Sequence, residues 1–175
     1  VGEHGIRISM KARNDDNSLD VVANRIIETE FYKWAKIGSC TADGKLSFLD
    51  AQKLFIQNLA RDGEVLIRHI KDTSNDFGYS MQFLESDHLD EQKNTKTANG
   101  QIKMGVEINQ FGKPTAYHLF KNHPDQYPTS YTNPNQRHIT VKADEMIHAF
   151  IQDRAEQTRG VPFTSSVMTL SLIHI

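Results

Sequence analysis

The sequence predicts an α+β fold: an amphipathic helix pair, a mostly antiparallel β region and the start of a C-terminal helix. Three observations carry this. Apolar residues recur at helical spacing between about residues 18 and 61. Short alternating and β-rich runs, separated by turn residues, fill about 62 to 160. Helices and strands come in blocks and do not alternate, so a parallel βαβ sheet is not expected. All 175 residues are read as one domain, a length that permits a substantial core.

Taken in order, "GIRISMKA" places Ile6, Ile8 and Met10 in alternation and reads as a strand. Asn17 or Ser18 is the expected N-cap of the first helix. Its stripe is Leu19, Val22, Ile26, Trp34 and Ile37, widened by Ala23, Ile27 and Phe31, with Gly38 as the stop. After a turn at Gly44, a second helix is expected from about Ser47, its N-cap, to Arg61, with Asp50 in the first turn facing the helix dipole.

Asp62-Gly63 then turns into a strand over Glu64 to Ile70, and "FGYSMQFLE" reads as another. "DEQKNTKTANG" is expected to be a long polar loop. "QIKMGVEIN" and "PTAYHLF" flank "QFGK", a hairpin signal. "NHPDQYPTSYTNPNQ" holds three prolines and no stripe, so an extended loop is expected. "RHITV" is a short strand, "KADEM" a helical turn, "IHAFI" a last strand, and a helix follows from about Thr164.

Composition narrows the function. The net charge of −2 argues against tight nucleic-acid binding, which needs an obvious basic face. The lone Cys40 leaves no intrachain disulfide and fits a reducing compartment. No apolar run approaches the roughly 20 residues that span a bilayer, and no signal-peptide pattern opens the chain. The chain starts on Val1 and stops inside the apolar run "VMTLSLIHI", so it reads as a fragment, with the final "LSLIHI" set aside.

Several motifs suggest chemistry, and each has a plainer reading. Ser39 to Asp50 aligns with a twelve-residue calcium loop, Gly44 at its sharp turn. Such a loop wants acids at its first, third, fifth and twelfth positions; Ser39, Thr41, Asp43 and Asp50 supply only two carboxylates, and Lys45 adds a positive charge. Turn, cap and helix-dipole roles explain every match. "FGKPT" hints at a phosphate loop, but Gly105 lies seven residues before Gly112 and Pro114 replaces the hydroxyl residue.

His118, His123, His138 and His148, with Asp125 or Asp144, could be imagined as a metal cluster in a metal-dependent nucleic-acid-processing enzyme. None of their spacings is a ligand pair, and Cys40 is distant in sequence. No nucleophile elbow is present. Phe31 and Trp34 could form a ligand platform, although burial against a core is the commoner fate of such a stripe. No catalytic, cofactor-binding or metal-ligating residue is therefore assigned, and no cofactor is expected.

The order of phrases nevertheless resembles the lambda-type portal proteins of tailed bacteriophages. "FYKWAK" precedes a C-x-x-x-G-K-L-S-F turn, with Trp34, Cys40 and Gly44 in place. Arg61, Asp62, Gly63 and Glu64 form the turn into a strand, and Glu85, Asp87, Leu89 and Asp90 follow in "MQFLESDHLD". The hairpin stretch carries Gly105, Gly112, Pro114, Ala116, Tyr117, His118, His123 and Pro124. "VKADEMIHAF" and "DRAEQTRGVPF" add His148, Arg159, Gly160 and Pro162. Each phrase alone is weak; order and spacing from Gly5 to Met168 carry the resemblance. Phe163 stands where Trp is expected, and the tail does not look like the family's next helix.

The resemblance implies a structural, non-enzymatic subunit of a homo-oligomeric ring, typically of twelve copies, at the capsid vertex of the virion. It implies assembly in the bacterial host cytoplasm, with roles in procapsid assembly, DNA packaging and DNA ejection. The implied partners are major capsid and scaffold proteins, the terminase that holds the ATPase, head–tail connector proteins, and double-stranded DNA in weak contact. No membrane partner is implied. The fragment would cover much of the wing region, and contribute to subunit packing and shell contact.

Overall fold

A computed structural model describes residues 5–71, 73–124, 138–165 and 167. It has two helices, Val21–Trp34 (α1) and Phe48–Asp62 (α2), and eight strands. The strands are Glu64–Lys71 (β1), Tyr79–Leu84 (β2), Thr95–Thr97 (β3), Gly100–Lys103 (β4), Val106–Asn109 (β5), Pro114–Phe120 (β6), His138–Lys142 (β7) and Met146–Phe150 (β8). They form a three-stranded sheet, β2-β1-β8, and a five-stranded sheet, β3-β4-β5-β6-β7. The fold is α+β with antiparallel sheets, as the block pattern predicts. Among the described residues no helix is long and apolar enough to cross a membrane. The chain divides into two compact units, Val1–Ile56 with Ile70–Gln82, and Gln57–His69 with Phe83–Ile175.

In the first unit, the strand expected at Ile6 to Met10 does not form. The segment pairs with no strand among the described residues, and side chains serve its amides. Gln52 Oε1 accepts from Ile6 N at 2.7 Å, Glu28 Oε1 from Met10 N at 2.8 Å, and Asn24 Oδ1 from Ala12 N at 2.7 Å. Alternation alone cannot make a strand without a ladder partner.

The N-cap of α1 is Asp20, not Asn17 or Ser18: its Oδ1 accepts from Ala23 N at 2.8 Å. Asn17 has φ 67° and lies in the preceding turn. Ser47 caps α2 as expected. Its hydroxyl accepts from Asp50 N at 3.2 Å and donates to Asp50 Oδ2 at 2.6 Å, a reciprocal cap that uses Asp in place of the usual Glu. Phe31, Trp34, Phe48 and Tyr79 form an aromatic cluster, with Phe31 and Phe48 edge to face at 5.3 Å. The indole of Trp34 donates to Tyr79 O at 3.0 Å.

The core of the second unit is Leu66, Leu89, Val106, Ile108, Tyr117, Leu119, Val141 and Met146. Such side chains contribute about 1.5–3 kcal/mol each when fully buried. In β6 the consecutive residues Tyr117, His118 and Leu119 are all buried, so both faces of the sheet are covered there. Beyond its pairing with β5, the edge of β6 is met by the segment before β3: Asp90 N donates to His118 O at 3.1 Å, and Leu89 bridges Leu119.

One turn and one strand were not expected. "QIKMGVEIN" is two strands, because Met104 and Gly105 have φ 48° and 81° and close a tight hairpin of the primed type. The polar stretch read as a loop holds β3, with Thr95 opposite Ile102 and Thr97 opposite Gly100. Polar composition hid this edge strand, since its side chains are mostly exposed. The hairpin at "QFGK", the turn at Ala143–Glu145 and the strand after it fall where expected. Residues 125–137, most of the expected proline-bearing loop, and the expected helix beyond Val167 lie outside the described residues.

Because α1 has no buried residue, its cap should matter more than its packing. Asp20→Ala is expected to weaken α1 by about 1 kcal/mol, read as faster amide exchange at Ala23 and Asn24 while β6 amides stay protected.

Candidate functional site

The second unit is organised around Glu64, the first residue of β1. Its side chain is 2% exposed, and a buried carboxylate must be paired or protonated. Here it is paired several times over. Arg159 Nε donates to Oε1 at 2.8 Å and Oε2 at 3.0 Å, with Nη2 on Oε1 as well. Gly160 N donates to Oε2 at 2.8 Å, and His148 Nε2 lies 2.9 Å from the same oxygen. β1 pairs with β8, with Leu66 opposite His148, which brings the imidazole alongside the carboxylate. Burial works against the charge on Glu64, but the donors from His148 and Arg159 outweigh it and hold the pKa down to about 2.

The backbone closes on the same point. A Cβ on Gly160 would meet Gly63 O at 2.1 Å, and one on Gly63, where φ is +81°, would meet Val161 C at 2.2 Å. Two chain segments about a hundred residues apart therefore touch main chain to main chain, with glycine on both sides. Phe163 N continues the contact to Ala60 O at 3.2 Å.

The four histidines singled out from sequence are not brought together. His118 Nε2 faces Glu107 Oε2 at 3.2 Å, and its Nδ1 faces Lys93 Nζ and Thr140 Oγ1, each at 3.1 Å. That set suits a neutral ring, donating to Glu107 and accepting at Nδ1. Burial first, then Lys93, lowers its pKa, against the pull of Glu107. His138 Nε2 lies 2.9 Å from Asp90 Oδ2, and His123 Nε2 lies 2.8 Å from Glu85 Oε2; both are close in distance but off the angle of a hydrogen bond. His148 belongs to Glu64. Each histidine thus meets a different carboxylate. Asp144 is exposed, Cys40 falls in the other unit, and Asp125 lies outside the described residues. Among the described residues no group of three or more His, Cys, Asp or Glu side chains could hold a metal ion.

The loop Ser39 to Asp50 spends its oxygens on its own residues and on the segment Asn75 to Met81. Ser39 O accepts from Asn75 Nδ2 at 2.8 Å and Ser80 Oγ at 2.9 Å, and Thr41 O accepts from Gly44 N at 3.0 Å. Asp43 takes Lys45 N, Asp50 takes Ser47, and the buried Cys40 thiol donates to Leu46 O at 3.2 Å. Thr41 bridges Met81, flanked by bonds from Met81 N to Cys40 O and from Ala42 N to Met81 O, both 2.8 Å. The loop is a docking edge for β2. "FGKPT" is the β5–β6 hairpin, where Asn109 Oδ1 accepts from Phe111 N and Lys113 N.

Sequence reasoning named Glu64 and Arg159 separately and did not pair them. The available signal was chemical: an acid leading the buried run "EVLI" requires a buried cation.

The depressed pKa of Glu64 lies below its ordinary value of 4.5, so the ionised form stabilises the fold above that value. Stability should be lost as pH falls from about 4.5 towards 2, by on the order of 3 kcal/mol. Thermal melts across that range should show the loss, and Glu64→Gln should both lower the melting temperature at neutral pH and flatten the acid dependence. Gly160→Ala should cost about 1–3 kcal/mol in denaturant titration, since main chain must move to admit the methyl.

The chain matches the family model described as phage portal protein, lambda family, over residues 1–171. It is also 40% identical over 166 residues to a protein of Halomonas phage phiHAP-1 named "Probable portal protein", an alignment covering 94% of the chain and 32% of that relative. The chain spans about a third of the relative's length. On this match the chain belongs to the lambda family of phage portal proteins.

Proposed function

We propose that the chain is a structural segment of a portal subunit, within the ring at the capsid vertex through which DNA enters and leaves. The observation that carries this is the family match over residues 1–171. The likeness to a phage protein named "Probable portal protein" supports it. In this reading the 175 residues form one wing domain, helical over about 18–61 and β-rich over about 62–160. They pack against neighbouring subunits and the shell; the ring has twelve copies and resides in the virion after assembly in the host cytoplasm. Major capsid and scaffold proteins, the terminase and head–tail connectors are its partners. The protein supports procapsid assembly, packaging and ejection, and performs no catalysis of its own.

The internal chemistry is consistent with that division of labour. The buried ionisable groups around Glu64 are committed to holding chain segments together, and the near-neutral charge suits a conduit that must let DNA slide, since each tight phosphate contact adds a barrier.

Negative-stain imaging of the full-length protein should show closed rings with a central channel. A protein that stays monomeric across salt and protein concentration would overturn the reading.

A further inference from the structure

Helix α1 leaves most of its apolar face open: Val22, Ile26 and Ile27 are 70%, 57% and 39% exposed. Beside them the first unit holds a groove of about 560 Å³, walled by Ile26, Ile27, Phe31, Trp34, Phe77 and Tyr79. Exposed apolar surface gathered in this way marks a contact site. The polar groups at its margin are already engaged. The Trp34 indole donates to Tyr79 O at 3.0 Å, and Glu30 on the rim accepts from Lys33 Nζ at 2.6 Å. A fitting occupant therefore brings an apolar ring and few hydrogen-bonding groups.

The second unit presents such a ring. Phe111, at the tip of the β5–β6 hairpin, is 84% exposed, more than any other large apolar side chain among the described residues. The turn that carries it is fixed from within. Asn109 Oδ1 accepts from Phe111 N at 2.9 Å and from Lys113 N at 3.0 Å. Gly112 N donates to Asn109 O at 3.0 Å, and Gly112 takes φ +81°. A side chain on a turn already ordered loses little freedom when it docks. Lys113, also exposed, lies two residues on from Phe111.

A closed ring needs two different surfaces on every subunit, because each copy meets one neighbour on either side. Groove and hairpin tip lie on different units of this chain. They match in character, aromatic to aromatic, and in charge, Glu30 to Lys113.

Resting on the portal reading above, we propose that the α1 groove receives the β5–β6 hairpin tip of a neighbouring copy. Phe111 of one subunit enters among Phe31, Trp34 and Phe77 of the next, where aromatic pairs gain from edge-to-face and offset arrangements. Lys113 faces Glu30 across the rim. Repeated head to tail, this one contact runs round the ring. A pairing of α1 with α1 would be isologous and would stop at a dimer.

The test uses the full-length protein with Glu30→Cys and Lys113→Cys, singly and together, under mild oxidation. The native Cys40 is buried and does not compete. The double variant should give a ladder of disulfide-linked multimers on non-reducing electrophoresis, and neither single variant should. Phe111→Ser, at a position the core does not use, should keep the wild-type circular dichroism. It should raise the concentration for half-assembly by about ten- to a hundredfold, read by sedimentation velocity over a dilution series. Reversing both charges, Glu30→Lys with Lys113→Glu, should restore the assembly that Glu30→Lys alone weakens. No ladder from the double variant, a dimer from Glu30→Cys alone, or Phe111→Ser rings at wild-type concentrations would overturn the proposal. The dimer would pair α1 with α1, and a missing ladder would leave the groove to another part of the same subunit. Wild-type rings beside any of these results leave the portal reading standing; a wild type that never forms rings removes both.

Discussion

One ionised carboxylate holds the second unit to its geometry. Glu64 sits at the start of β1, buried, and takes donors from Arg159, Gly160 and His148. A buried ion pair adds little net stability compared with apolar packing of the same volume, because desolvation offsets attraction. What it supplies is direction. A guanidinium fork, an imidazole and a main-chain amide satisfy this carboxylate in one arrangement, whereas an apolar side chain would tolerate several. The segment at Arg159 is thereby laid against the head of β1, and the reciprocal glycines at 63 and 160 let the two backbones meet.

The rest of that unit follows from where the clasp puts the strands. β8 pairs with β1 in the register that sets His148 beside Glu64. The same placement stacks His148 against Tyr117 of β6 and Phe150 of its own strand. Histidines in this half act as cross-strand and strand-to-loop ties: His118 lies directly opposite Thr140 and draws in Glu107 and Lys93. Titratable residues dispersed in this way make several local joints and no convergent centre.

The first unit uses another device. Its loop at Ser39 to Asp50 turns its polar atoms inward to caps and bridges, and its aromatic cluster is pinned by one indole hydrogen bond. Helix α1 buries no residue, and Val21, Val22 and Ile26 are 72%, 70% and 57% exposed. A helical period states that one face is apolar; it does not state what covers that face. The stripe from Val22 to Trp34 was legible and its burial was not. Leu19, Ile37 and the expected stop at Gly38 lie outside the helix, which ends at Trp34 with Ala35 as its C-cap.

Elements whose signals are local were readable from the residues alone. The second helix announces itself through Ser47 and Asp50, the β5–β6 hairpin through its glycine turn, and the buried strand through "EVLI". The family was readable too, because short phrases in fixed order survive without any structure. The strand that failed at Ile6 to Met10, the hidden hairpin at Met104 and Gly105, and the pairing of Glu64 with Arg159 were decided by tertiary structure. A ladder needs a neighbouring edge, Met104 takes up its left-handed turn between the paired β4 and β5, and a buried charge finds a partner 95 residues away only after the chain has folded. Sequence determined the elements whose caps, turns and periods are local; the fold decided which extended segments became strands and which of them would meet.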